Sequence, residues 1–159
     1  MGIEIEKKYR LDKKLLVDLT AKLIMLGAEF KNEVFEENYL HRGGLLDERA
    51  AVLRLRKVGE TTLLTYKERI NLDSDIKHRI EFETHVSDVE ATENIIQRLG
   101  FELSVVYEKH RKTFHYLDVE VVLDELPFGY YMEIEGEVEA IAEAEKALEI
   151  TDLEPESRG

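Results

Sequence analysis

The sequence predicts an α+β fold in which about eight β-strands curl into a barrel and three helices pack against its outside. Three observations lead there. Period-two alternation marks many short segments as strands, whereas only three segments repeat their apolar residues at helical spacing. The two halves of the chain echo one another. A strand and a helix lead into Leu26-Gly27-Ala28-Glu29 and then Phe35-Glu36-Glu37, and again into Leu99-Gly100-Phe101-Glu102 and then Tyr107-Glu108-Lys109. Third, charged residues recur as i, i+2 pairs on one face of most strands. Two similar halves suggest one ring with a pseudo-two-fold relation, and one domain over residues 1–159. The same counts also allow an open sheet with its charged face in water.

Taken in order, Gly2 to Arg10 alternates, with Ile3, Ile5, Lys7 and Tyr9 on one face and Glu4, Glu6, Lys8 and Arg10 on the other. Asp12 is an N-cap for a helix whose stripe is Leu15, Leu16, Leu19, Leu23 and Leu26, and Gly27 stops it. A strand is expected from about Glu33 to His41, then a polar loop from Arg42 to Arg49 around Gly43-Gly44. Ala51 to Lys57 and Thr61 to Arg69 read as a hairpin about Val58-Gly59-Glu60, and Asn71 to Asp75 as a turn. From Lys77 to Val86, Ile80, Phe82 and Val86 alternate against Arg79, Glu81, Glu83 and His85. Ser87 and Glu90 suggest a capping box for a second helix with Val89, Ile95, Ile96 and Leu99 on its face and Gly100 at its end. Strands follow at Glu102 to Tyr116 and Val119 to Leu126. Pro127-Phe128-Gly129 turns the chain into Tyr130 to Val138, and a third helix runs from Glu139 to Leu148. The tail, with Pro155 and Gly159, is expected to fray.

Composition narrows the function. Hydrophobic residues make up 43% of the chain, a globular value. No apolar run approaches the roughly 18 residues of a membrane span, and no basic-then-apolar leader opens the sequence. Cysteine is absent, which excludes disulfides and thiolate metal sites and fits a cytoplasmic location. The net charge of −13 argues against a binder of nucleic-acid polymers, whose affinity rests on neutralised phosphates. It does not exclude a small anion held by a local basic cluster or through a divalent cation.

The charge pairs are segregated by strand. Carboxylates pair at Glu4 and Glu6, Glu81 and Glu83, and Glu133 and Glu135. Cations pair at Arg54 and Arg56, Lys67 and Arg69, and Lys109 and Arg111. One such strand would belong on a solvated surface. The repetition favours a wet channel, because burying these groups unpaired costs several kcal/mol each. A ring of both signs suits a polyphosphate with divalent cations, the carboxylates holding Mg²⁺ or Mn²⁺ and the Arg and Lys side chains holding phosphate oxygens.

These residues, in this order, resemble the CYTH superfamily. Glu4-x-Glu6-x-Lys8 is similar to its ExExK signature. The likeness continues through Leu53-Arg54-Leu55-Arg56, Leu64-Thr65-Tyr66-Lys67, Arg79-Ile80-Glu81-Phe82-Glu83 and Glu108-Lys109-His110-Arg111. It ends at Leu123-Asp124-Glu125-Leu126-Pro127 and Met132-Glu133-Ile134-Glu135-Gly136. ExExK alone is a weak signal, but the ordered set spans nearly the whole chain. The resemblance implies a triphosphate tunnel, an eight-stranded antiparallel closed barrel with a charged bore. It implies metal ligands at Glu4, Glu6, Glu133 and Glu135, with Asp124 close by. Phosphate binding falls to Lys8, Arg54, Arg56, Lys67, Lys109 and Arg111, and Glu81 and Glu83 line the tunnel as substrate-side residues. Glu4, Glu6, Lys8, Lys109 and Arg111 form the catalytic set. Arg10 and Arg79 are as well explained by ion pairing as by substrate contact. His78, His85 and His110 are expected at the surface or in ion pairs, and Tyr39 in packing. His41-Arg42-Gly43-Gly44 departs from the Asp-containing loop usual in relatives, which puts any contact there in doubt.

The family holds class IV adenylyl cyclases and thiamine or inorganic triphosphatases. The short chain and its ending look closer to the cyclase branch. The implied reaction is therefore ATP to cyclic AMP and pyrophosphate, with Mg²⁺ or Mn²⁺ as cofactor. Hydrolysis of inorganic, thiamine or nucleoside triphosphate is the alternative, and a non-catalytic nucleotide-binding module the second. No membrane or nucleic-acid partner is expected, and an exposed barrel edge or helix could support a homodimer.

Overall fold

The computed structural model describes residues 2–71 and 74–156. In chain order the elements are β1 (Gly2–Leu11), α1 (Lys13–Met25), β2 (Glu29–Arg42), α2 (Gly44–Glu48), β3 (Ala51–Val58), β4 (Thr61–Arg69), β5 (Lys77–His85), α3 (Val89–Arg98), β6 (Glu102–Tyr116), β7 (Val119–Leu126), β8 (Gly129–Glu135) and α4 (Val138–Leu148). The strands close in the order β1-β5-β4-β3-β2-β6-β7-β8, every pair antiparallel. The open-sheet alternative is thereby excluded. Exchanging each strand of the first half for the one four later leaves this circular order unchanged, so the topology carries the two-fold relation of the sequence echo.

Period-two alternation sorts each strand between bore and exterior. On β7, Val121 and Leu123 point out and are buried under helices, while Val122 and Glu120 face the bore. The main hydrophobic core therefore lies outside the ring. Tyr9, Val121, Leu123, Met132 and Ile134 pack there with Leu19 and Leu23 of α1 and with Ile141, Ala144 and Leu148 of α4. Fully burying such aliphatic side chains contributes about 1.5–3 kcal/mol each. A polar pin crosses this core: the hydroxyl of buried Tyr9 donates to Glu145 of α4, which also accepts from Lys7 Nζ at 2.8 Å. Across the ring, Leu46 of α2, Ile96 of α3 and the outward Leu55 of β3 are buried as well.

Asp12 caps α1 as expected, accepting from the Leu15 amide at 2.7 Å. Other local expectations needed correction. The segment after Arg42 is no plain loop, because Gly43 at φ 107° leads into α2, and its amide donates to Asp47. The cap of α3 is Asp88 and not Ser87, since the Asp88 carboxylate takes the Ala91 amide at 2.9 Å. Of the α3 stripe only Ile96 is buried, while Ile95 and Leu99 stay exposed. β2 begins earlier than alternation suggested, because it pairs with β6 from Glu29 onward. β8 ends at Glu135, before the approach of Gly136 to Val119, where a Cβ would meet Val119 Cγ1 at 2.9 Å. The turn expected over 71–75 and the fraying tail fall partly on residues outside those described.

Candidate triphosphate tunnel

The strands lean steeply across the barrel axis. Some side chains that meet inside the bore are consequently two residues out of register, while others, such as Lys67 and Glu81, stand directly opposite. Glu4 is opposite Arg79 in the ladder, yet it is Glu6 that Arg79 reaches, at 3.0 Å. Arg111 is opposite Asp124, yet Lys109 also comes within 3.8 Å of it. Following that two-residue step round the ring sorts the inward side chains into tiers. The central tier holds Glu6, Arg79, Lys67, Arg54, Lys109 and Glu133, with buried Asn38 and Asp124. On one side lie Glu4, Glu81, Glu135, Arg56, Glu36 and Arg111. On the other lie Lys8, Lys77, Arg69, Tyr107 and Tyr131.

The bore encloses a cavity of about 490 Å³, and its wall includes Glu4, Glu6, Lys8, Arg54, Arg56 and Lys67, then Glu81, Glu83, Lys109, Arg111, Glu133 and Glu135. Twelve of the thirteen side chains proposed from the sequence thus share one cavity. The exception is Asp124. It is 1% exposed, stands behind the wall, and accepts from Arg111 Nε and Nη2 at 2.7 Å each, so it serves here as a guanidinium partner. The tiers leave the two mouths with opposite character. One is basic and aromatic, ending in Arg10 and Arg42. The other is acidic, where a second cavity of about 280 Å³ is lined by Glu4, Glu81, Glu83 and Glu135 beside Gly2 and Ile3.

The cations in the bore are under-neutralised. Burial lowers Arg54 to about 10, neighbouring Arg56 adds to the effect, and among the described residues its Nε has no hydrogen-bond partner. Burial, and then the Arg111 charge, lowers Lys109 to about 7. Burial opposes ionisation of Arg111 too, but the Asp124 carboxylate outweighs it and holds Arg111 firmly charged. Lys67 divides its attraction between Glu4 at 3.2 Å and Glu81 at 3.7 Å. Arg56 is held by Glu36 at 3.0 Å and by Asn38 at 2.9 Å. A polyanion entering here would meet preformed donors whose burial in low dielectric strengthens each contact. Triphosphate affinity is accordingly expected to fall as pH rises through about 7, where Lys109 gives up its proton. Lys109→Arg, which stays charged, should flatten that profile. Calorimetric titration with inorganic triphosphate checks this, and a flat profile in the parent protein contradicts it.

The carboxylates show the converse shortage. Glu6 is pushed up to about 8 by burial and then by the facing Glu133, and Glu135 to about 7 by burial and then by Glu4. Glu6 and Glu133 stand close enough to influence each other's protonation, as do Glu4 and Glu81. Burial works against ionised Glu133 as well, but Arg111, Lys109 and Lys8 outweigh it and hold it well below the usual range. Crowded carboxylates that must share protons form a donor set for a hard divalent cation such as Mg²⁺ or Mn²⁺. Among the described residues, no three acidic or imidazole groups already stand close enough to enclose a cation, so binding must draw the carboxylates inward. The chemistry of the donor set fits such an ion, and Glu4, Glu6, Glu133 and Glu135 are the residues that would hold it.

Alternation also placed residues that sequence reasoning passed over. Lys77 continues the parity of Arg79, Glu81 and Glu83, and is fully buried. Glu36 and Asn38 share the inward face of β2, but their single charge among polar neighbours gave no pair to notice. His78 meets Asn71, and His110 stands between Glu33 and Glu125 on the outside, as expected of surface or paired histidines. Tyr39 bonds to Glu37 under the Lys57 ammonium and takes no part in the bore.

A closed antiparallel ring around rows of guanidinium, ammonium and carboxylate groups is the architecture of a triphosphate tunnel. The chain belongs to the CYTH domain family, whose model matches residues 2–158. It is 31% identical over 150 residues to a Methanocaldococcus jannaschii protein named "Putative adenylate cyclase", covering 92% of this chain and 84% of that one. A solved Pyrococcus horikoshii protein superposes with a TM-score of 0.84 at 25% identity, covering 98% and 96% of the two chains. An adenylyl cyclase candidate from Hippeastrum, described with a dominant triphosphatase activity, shares the fold at a TM-score of 0.76 and 18% identity over 98% and 91%. Members of the family are adenylyl cyclases or triphosphatases, and the family implies dependence on a divalent metal. Among the described residues no helix is long and apolar enough to cross a membrane.

Proposed function

We propose that this protein is an adenylyl cyclase that converts ATP to cyclic AMP and pyrophosphate. The observation that carries the reading is one bore that sets a row of phosphate donors against a cation-hungry carboxylate cluster. The full-length likeness to the Methanocaldococcus jannaschii protein supports it. Arg54, Arg56, Lys67, Lys109 and Arg111 would grip the triphosphate, and Lys8 would reach its end. Held this way, the ribose 3′-hydroxyl oxygen lies near the α-phosphorus. The hydroxyl gives its proton to solvent water as a new O–P bond closes the ring there, and the bond from the α-phosphorus to the bridging oxygen breaks with its electron pair leaving on pyrophosphate. The fixed cations stabilise the charge that builds on departing pyrophosphate, so positioning and preorganised electrostatics supply the acceleration. A divalent cation, when bound at Glu4, Glu6, Glu133 and Glu135, supplies charge neutralisation and acidifies a coordinated hydroxyl. Glu81 and Glu83 would keep Lys67 and Thr65 aligned, the latter through a 2.7 Å bond to Glu83.

Hydrolysis is the second reading. Most of the side chains lining the cavity are charged, so it could serve a bare triphosphate equally well. A product assay separates the two. Purified protein is given ATP, and separately inorganic triphosphate, with Mg²⁺ or Mn²⁺, and cyclic AMP, pyrophosphate and phosphate are resolved. Cyclic AMP with pyrophosphate is the expected result. Phosphate with diphosphate products transfers the assignment to a triphosphatase, and no turnover of either substrate leaves a binding module.

A further inference from the structure

The tunnel has a direction, and its basic mouth carries an aromatic cluster that phosphate chemistry does not use. Phe128, in the turn between β7 and β8, lies edge-to-face against Tyr107 of β6 and Tyr131 of β8, with ring centroids 6.1 and 6.3 Å apart. Tyr131 is already engaged, with Lys8 Nζ 4.7 Å from its ring centre and Arg10 bonded to its hydroxyl. Tyr107 lines the bore beside Arg54 and Lys109. Among the described residues no cation stands over Phe128, which remains 56% exposed.

The turn that presents Phe128 is fastened. Arg10 Nη2 donates to the Phe128 carbonyl at 3.2 Å, and the guanidinium fits there because Gly129 has no Cβ, which would stand 3.2 Å from it. Among the described residues, the other close ring pairs lie on the outside of the barrel. Phe30 packs on core Phe114, Phe35 on His110, and Tyr66 on Phe82. Among the described residues the opposite mouth is lined by four glutamates, two of them reached by Lys67 from within the bore, and so is less favourable to a polyanion arriving from that side.

From this placement we propose that Phe128 and Tyr107 form a stacking shelf for the nucleobase of a nucleoside triphosphate. The phosphates would enter first through the basic mouth, with the base left behind on the shelf. The inference rests on the tunnel holding a triphosphate, as proposed above, and adds which end takes the organic group. Two cations hold Tyr131 in place as the floor, Tyr107 bridges shelf and phosphate site, and the free face of Phe128 receives the base.

The test compares two ligands that share a triphosphate and differ in the base: 3′-deoxy-ATP, which lacks the attacking hydroxyl, and inorganic triphosphate. Each is titrated calorimetrically at the same Mg²⁺ concentration. Phe128→Ala should weaken 3′-deoxy-ATP about 5- to 150-fold, the range for loss of one base–aromatic stack. It should leave inorganic triphosphate within about twofold, inside the error of such a comparison. Phe128→Tyr should restore the parent value. Phe128 is half-exposed in a turn, so these variants keep the core, and circular dichroism checks that they do. Unchanged 3′-deoxy-ATP affinity in Phe128→Ala overturns the shelf, as does equal weakening of both ligands. Failure of the parent protein to bind inorganic triphosphate is a different result, and it overturns the tunnel reading on which the shelf rests.

Discussion

Arg111→Ala is expected to cost about 3–5 kcal/mol of stability, the usual penalty for stranding one partner of a buried ion pair. Asp124 is 1% exposed and receives two 2.7 Å bonds from that one guanidinium. Lys109 at 3.8 Å is a poor substitute, since it lies beyond hydrogen-bond distance and burial lowers its own proton affinity. With about 2–4 °C lost per kcal/mol at this chain length, the melting temperature should fall by roughly 6–20 °C. Adding Asp124→Asn should recover much of the loss, because it removes the stranded charge rather than restoring the bond. Lys22→Ala is the contrast. Its 2.6 Å bridge to Glu149 is shorter than either bond to Asp124, but Glu149 is 79% exposed, so solvent screens the pair and little or no change in melting is expected. Thermal unfolding of the four proteins checks the set. If Arg111→Ala and Lys22→Ala melt alike, or Asp124→Asn gives no rescue, the pair is not the buried strut described.

The ring was legible because both faces of its strands are constrained. Arg54 and Arg56 had to face one way if Leu55 was to be covered, and the same parity recurs on β1, β5, β6 and β8. Alternation gives the face of a residue but not its height. That Arg79 meets Glu6 rather than Glu4 follows from strand tilt, a property of the closed ring that no single strand encodes. For the same reason the two mouths could not be told apart. Lys8 and Glu4 share a face of β1, and only the stagger of their neighbours sends one toward basic and aromatic groups and the other toward glutamates. The partner of Asp124 was hidden for a third reason. Its place in the Leu-Asp-Glu-Leu-Pro motif suggested proximity to a metal, but the motif does not reveal that Arg111, across the β6–β7 ladder, would claim both oxygens. The α3 cap moved from Ser87 to Asp88 because two capping residues adjoin, and a shift of one residue is beyond what a spacing rule resolves.

Divalent cations should raise the melting temperature in a concentration-dependent way, because they bind the folded bore and not the unfolded chain. At 100 times the dissociation constant the gain is about 2.7 kcal/mol, or roughly 5–11 °C at this size. Glu133→Gln and Glu135→Gln should each abolish most of it, yet they should differ without metal. Glu133 is held ionised by Arg111, Lys109 and Lys8, so making it neutral removes attraction and should lower stability. Glu135 is pushed up to about 7 by burial and then by Glu4, so its charge is a burden that Gln relieves. A carboxyl whose proton affinity is raised on folding loses stability as pH climbs from its ordinary 4.5 to that raised value. The advantage of Glu135→Gln should therefore be full above about pH 7 and vanish toward pH 4.5. Glu143, exposed on α4, is the control. Should Mn²⁺ leave the parent protein unmoved, or Glu143→Gln and Glu135→Gln answer it alike, these carboxylates do not hold a cation. The cyclase reading would then lose its acidic half, while the phosphate-binding half, tested with Lys109, would still stand.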